Sequence, residues 1–176
     1  LMKDEHLLHK PRKRFGQNFL HDANIIHKIA KAVAPKPDDH IVEIGPGMGA
    51  LTSSFSGACA NLDVIELDRD LIPFLKQKFG TNPNFSIHQT DALKFDFLKL
   101  YQDRPLRIIG NLPYNISTPL LFHLFSFSNQ IKDMHFMLQK EVVDRLAAQA
   151  NEKNYGRLGI MAQYHCQVSR LFTVPP

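Results

Sequence analysis

The run His40-Ile41-Val42-Glu43-Ile44 passes directly into Gly45-Pro46-Gly47-Met48-Gly49. A short apolar strand ending in three alternate glycines constrains the fold of this chain more than any other stretch. Glycine lets a backbone turn tightly and lie close against a ligand. Gly45, Gly47 and Ala50 also fit the G-x-G-x-x-G/A pattern of dinucleotide sites, although turns of this kind serve several nucleoside cofactors.

The segments around this junction supply a sheet and its helices. Asp22 is placed to cap a helix in which Ile25, Ile26, Ile29, Ala30 and Val33 recur at helical spacing, and Pro35 and Pro37 stop it. Leu62-Asp63-Val64-Ile65, Phe85-Ser86-Ile87-His88, Leu106-Arg107-Ile108-Ile109 and Met134-His135-Phe136-Met137-Leu138 read as four more strands. Asp70 is expected to cap a helix over residues 71–79. Ser117 or Thr118 is expected to cap another, opened by Pro119 and running to residue 127. A helix over residues 141–150 follows, and residues 159–174 are expected to hold one more helix and one more strand. Alternation of this kind implies an α/β fold, an open and mostly parallel sheet with helices on both faces.

Such sheets bind ligands beyond the carboxyl ends of their strands, and the unusual residues lie there. The glycines follow the first strand, Glu66 the second, Asp91 the third and Asn111 the fourth. A carboxylate at Glu66, 21 positions after Gly45, can accept hydrogen bonds from both hydroxyls of a ribose. That much suits NAD and S-adenosylmethionine equally. Asp91 is placed to accept from the adenine amino group of the cofactor, and it tilts the balance toward S-adenosylmethionine.

Asn111-Leu112-Pro113-Tyr114 then suggests the acceptor of a methyl group. The exocyclic amine of a purine is a poor nucleophile, because its lone pair is delocalised into the ring. The Asn111 side-chain oxygen and the Leu112 main-chain carbonyl are two acceptors that can hold both N–H bonds and aim the lone pair. Pro113 stiffens the turn through its fixed φ. Tyr114 offers a face on which a splayed base can stack. Acceptor geometry and proximity, rather than a strong general base, carry such a transfer.

Charge points to a nucleic-acid partner. Residues 1–31 hold seven Lys/Arg and three Asp/Glu, whereas residues 32–176 hold fourteen of each. The net charge of +4 therefore sits at the amino end, densest at Lys10-Pro11-Arg12-Lys13-Arg14. Lys10, Arg12, Lys13 and Arg14 suit a phosphate backbone. No run approaches the ~18 apolar residues that span a bilayer, and the amino end lacks the apolar core of a signal peptide. Two cysteines make no disulfide framework. A cytoplasmic protein without a membrane partner is expected. The scattered histidines suggest no metal site.

These stretches together resemble the bacterial small-subunit rRNA adenine dimethyltransferases, the KsgA or RsmA family. The marks are Arg14-Phe15-Gly16-Gln17-Asn18-Phe19-Leu20, the run from Glu43 to Thr52, Glu66-Leu67-Asp68, Asp91-Ala92-Leu93, the run from Asn111 to Ser117, and Tyr155-Gly156-Arg157-Leu158. The resemblance implies a Rossmann-like, S-adenosylmethionine-dependent methyltransferase. It implies that Asn18, Leu20, Gly45, Glu66, Asp91 and Asn111 contact the cofactor or line its pocket, with Gly47 and Ala92 in the same motifs. The implied substrate is a pair of adjacent adenosines in the 3′-terminal hairpin loop of 16S rRNA, within the immature 30S subunit. Each is methylated twice on N6, and S-adenosylhomocysteine is the product.

Two segments are expected: a basic arm with a cofactor-site segment over residues 1–22, and a catalytic domain over residues 23–176. The family's small C-terminal helical domain is expected to be absent from this chain. A monomer is expected. Methylation of adenine in another nucleic acid, or RNA binding by an assembly factor on the same fold, are the alternatives. An NAD-dependent oxidoreductase leaves Asn111 and Tyr114 unexplained.

Overall fold

The computed structural model describes residues 20–175. Its strands are β1 (His40–Ile44), β2 (Asn61–Glu66), β3 (Phe85–Gln89), β4 (Leu106–Asn111) and β5 (Ile131–Met137). Its α-helices are α1 (Ala23–Val33), α2 (Thr52–Phe55), α3 (Ile72–Phe79), α4 (Tyr114–Phe125), α5 (Lys140–Ala147) and α6 (Arg157–His165). The strands form one sheet in the order β3-β2-β1-β4-β5, with every neighbouring pair parallel. The central strand β1 is buried at all five positions, which explains why it reads as an apolar run rather than an alternation.

Period-two alternation divides the sheet between two cores. Val42, Ile44, Ile65, Leu106 and Ile108 pack on one face with Phe97, Leu112, Leu120 and Leu124. Ile41, Leu62, Val64 and Ile109 pack on the other with Val33, Leu51 and Phe55. A third cluster of Leu121, Phe125, Val142, Leu146, Leu158 and Ala162 joins α4, α5 and α6. The connection from β1 leads to β2 on one side, while β4 lies on the other. The crevice beyond the ends of β1 and β4 is the point where the strand order reverses, the usual ligand site of such a sheet.

Asp22 caps α1 as expected, accepting from the N–H groups of Asn24 and Ile25 at 2.9 and 3.4 Å. At the amino ends of the strands, opposite the crevice, buried Arg107 locks α1 to the sheet. It donates to the Val33 carbonyl at 2.6 Å, to Asp39 at 2.7 Å and to both oxygens of Asp133 at 3.0 Å.

Three expectations need correction. Helix α3 opens at Ile72, and Asp70 does not cap it; the Asp70 N–H instead donates to Asp68 at 3.0 Å. Helix α4 opens at Tyr114, not at Pro119. Pro113, at φ −65° and ψ 150°, already provides the N-cap conformation, and Ser117 donates to the Tyr114 carbonyl from inside the first turn. No strand forms in residues 166–175. Val168 packs on the α4–α6 cluster, and Phe172 lies under the Lys28 ammonium, 5.5 Å from the ring centre. The four-residue helix α2 is too short for a periodic pattern to reveal.

Candidate active site

The glycine turn between β1 and α2 is the structural base of the site. Gly45, Gly47 and Gly49 all adopt positive φ, at 66°, 58° and 82°. Gly45 donates its N–H to the Ile65 carbonyl of β2 at 2.9 Å, which pins the turn to the neighbouring strand. A Cβ on Gly49 would lie 2.5 Å from the Phe79 ring, so the turn packs directly on α3. A Cβ on Gly45 would meet nothing within 4 Å. The turn is therefore tight against the protein on one side and open on the other.

Glu66, the last residue of β2, holds this turn from below. Its two oxygens accept the Gly47 N–H at 3.1 Å and the Asp68 N–H at 2.8 Å. Burial pushes its carboxyl above the ordinary range, against the pull of those N–H groups. A carboxylate has about four lone-pair positions, so Glu66 can shape the turn and still accept from a ligand's hydroxyls.

A second acid, Glu43, lies in the same place and is absent from the expected set. It is 2% exposed and accepts the Thr52 hydroxyl from α2. Burial, reinforced by the nearby charge of Glu66, raises its pKa to about 7. The sequence carried a signal for it: an acid at the fourth position of an otherwise apolar strand, one residue before the glycines. Such a residue must be buried in a sheet of this kind.

Leu20, Gly45, Gly47 and Asn111, all expected in the cofactor site, line one cleft together with Glu43 and His21. Glu66 joins them through its bond to Gly47. Asp91 and Ala92 stand beyond the end of β3 and do not line that cleft. Asp91 caps the 3-10 turn Ala92–Lys94, one oxygen accepting the Leu93 N–H at 3.0 Å, while Ala92 is buried in the core. Asn18, Lys10, Arg12, Lys13 and Arg14 lie outside the described residues.

The Asn111-Leu112-Pro113-Tyr114 turn is held from β5 and α5. Asn111 ends β4 in register with Met137. The Leu112 side chain is buried in the core, its N–H donates to the Met137 carbonyl at 3.1 Å, and its carbonyl accepts from Gln139 Nε2 at 3.4 Å. Tyr114 is 62% exposed, and its hydroxyl donates to Glu141 at 2.9 Å. That carboxylate holds the phenol pKa above its usual value. Gln139 and Glu141 sit about thirty residues downstream of the turn they support, with no fixed spacing that a linear motif could display.

The profile of a family described as "Ribosomal RNA adenine dimethylase" matches residues 8–176 of the chain. Curated relatives named "Ribosomal RNA small subunit methyltransferase A" include that of Marinobacter nauticus, 64% identical over 96% of this chain and 61% of the relative. That of Saccharophagus degradans is 62% identical over 96% of this chain and 63% of the relative. The chain thus spans less than two thirds of the length of these relatives. Among solved structures, a dimethyladenosine transferase from Plasmodium falciparum aligns at TM-score 0.73 and 30% identity, over 83% of this chain and 52% of that one. The 23S rRNA methyltransferase ErmE aligns at 0.63 and 25%, over 73% of this chain and 50% of that one.

Proposed function

The chain belongs to the ribosomal RNA adenine dimethylase family, and from that premise we propose that it transfers methyl groups from S-adenosylmethionine to N6 of adenosines in small-subunit rRNA. The targets in this reading are the two adjacent adenosines of the 3′-terminal hairpin loop, each dimethylated. The observation that carries it is a convergence. The glycine turn, held by Glu66, and Asn111, the first residue of the Asn-Leu-Pro-Tyr turn, meet at one cleft where the strand order reverses. Relatives named for small-subunit rRNA methylation support the substrate.

The residues present fit the cofactor. The open side of Gly45 gives a nucleoside room beside bare backbone. Glu66 would accept the ribose hydroxyls, Leu20 and Gly47 would line the cleft, and Asp91 and Ala92, beyond the end of β3, would border the adenine. When bound, the cofactor supplies an electrophilic methyl group on a sulfonium.

Everything else falls to the chain's own groups. Asn111 accepts one N–H of the target amine and the Leu112 carbonyl accepts the other, which turns the nitrogen lone pair out of the purine plane. Pro113, with its fixed φ, would stiffen the turn that carries the two acceptors. Tyr114 stacks on the flipped adenine. The proton becomes acidic only as the new bond forms, so positioning carries the rate. Lys10, Arg12, Lys13 and Arg14 would hold phosphates of the rRNA, whose contacts give affinity rather than sequence choice. The protein would act as a monomer on the immature subunit in the cytoplasm. No helix among the described residues is long and apolar enough to cross a membrane.

Purified protein incubated with methyl-labelled S-adenosylmethionine and under-methylated small subunits tests this. Label mapped to N6 of the two loop adenosines is the expected result. Label elsewhere, or none, would overturn it.

A further inference from the structure

The Leu112 carbonyl already has a hydrogen-bond partner inside the protein, and its place suggests a use. Gln139 follows β5 and donates Nε2 to the Leu112 oxygen at 3.4 Å, the long end of a hydrogen bond. Its Oε1 is buried without a partner among the described residues. The reverse orientation of the amide would set oxygen against oxygen, so the donor faces Leu112. The backbone of Leu112 is fixed as well, through its N–H to Met137 at 3.1 Å. The carbonyl cannot swing away to find another donor.

We infer that Gln139 is a positioning residue for the second of two methyl transfers to the same nitrogen. The inference rests on the reading that Asn111 and Leu112 accept the N–H bonds of the target amine. An unmethylated amine has two N–H groups, one for each acceptor. In each transfer N6 gains a bond to the methyl carbon, the carbon–sulfur electron pair stays on sulfur, and one N6 proton passes to water. After the first transfer a single N–H remains, beside a methyl group that can donate nothing. One acceptor then loses its partner, and an acceptor left unpaired beneath the bound base raises the barrier. Leu112 has a replacement in Gln139, whose long bond can shorten as the substrate N–H departs. The remaining N–H stays with Asn111. Gln139 thus lowers the cost of the second transfer and leaves the first almost unaffected.

The test follows single turnovers of purified protein on under-methylated small subunits, with N6-monomethyl and N6,N6-dimethyladenosine separated by mass spectrometry. Gln139→Leu removes the donor, and Gln139→Met removes it while keeping the length of the side chain. Both should transfer the first methyl within about three-fold of wild type and the second about ten-fold or more slowly, so monomethyladenosine accumulates. Calorimetric affinity for S-adenosylmethionine should be unchanged. Equal slowing of both steps, or no accumulation of the monomethyl product in Gln139→Met, would overturn the inference alone. Wild-type protein that leaves the adenosines unmethylated would overturn the proposed function, and the inference with it.

Discussion

The Tyr114 hydroxyl donates to the Glu141 carboxylate across 2.9 Å, tying the first residue of α4 to the first turn of α5. The bond is exposed and the ring above it is bare, so the two parts of Tyr114 should separate by mutation. Tyr114→Phe loses only a solvent-exposed bond and should change RNA affinity and rate by no more than about three-fold. Tyr114→Ala loses the ring proposed to stack on the target adenine, and apparent affinity for the rRNA substrate should fall roughly ten-fold or more. Filter binding and steady-state kinetics on both variants measure this. A Phe variant as impaired as the Ala variant would move the role from the ring to the hydroxyl.

Glu66 has one task in the structure and a second in the proposed reading, and its removal should show both. Glu66→Ala leaves the N–H groups of Gly47 and Asp68 without their acceptor. In the proposed reading it also removes two charge-assisted bonds to the ribose, each worth about 1.5–3 kcal/mol. Calorimetry should therefore find S-adenosylmethionine binding weakened by roughly a hundredfold or more. A thermal melt without ligand should find a lower Tm. Lost affinity with an unchanged melt would mean that the turn does not depend on Glu66.

Glu43 gives the fold a pH dependence with a definite sign. Its carboxyl titrates near 4.5 when unfolded and at about 7 when buried beside Glu66. The folded state therefore holds this proton more tightly. The stability it contributes is full below the unfolded value and is lost as pH rises through about 7, a change on the order of 3 kcal/mol. Glu43→Gln cannot ionise, so its stability relative to wild type should improve between about pH 5 and about pH 8. Urea unfolding across that range measures the gap. Parallel profiles would show that Glu43 is already ionised in the folded protein.

Several of these residues were legible in the sequence, because the constraints on them are local. A glycine run straight after an apolar strand can only be a tight turn, and Glu66 and Asn111 end strands whose apolar runs are plain. Asp22 declares its helix by standing one residue before a helical period. Pro119 misled because proline is common at a helix start, while Pro113 fills the N-cap position six residues earlier. Asp91 declared its place but not its bond to Leu93, since a strand-end acid and a turn cap look alike in one dimension. Gln139 and Glu141 were invisible because their partners lie across the β4–β5 pairing. Only the register of Asn111 with Met137 brings them together.

Single-turnover methyl transfer by Asn111→Ala tests the central claim most directly. Asn111 lines the cleft as one neutral residue, and in the proposed reading phosphate contacts carry most of the affinity, so the variant should fold and bind rRNA almost normally. Loss of a preorganised acceptor at the reacting amine should slow the transfer step roughly a hundredfold or more. Transfer at the wild-type rate would contradict the account, and Asn111-Leu112-Pro113-Tyr114 would then be a turn that does no more than start α4.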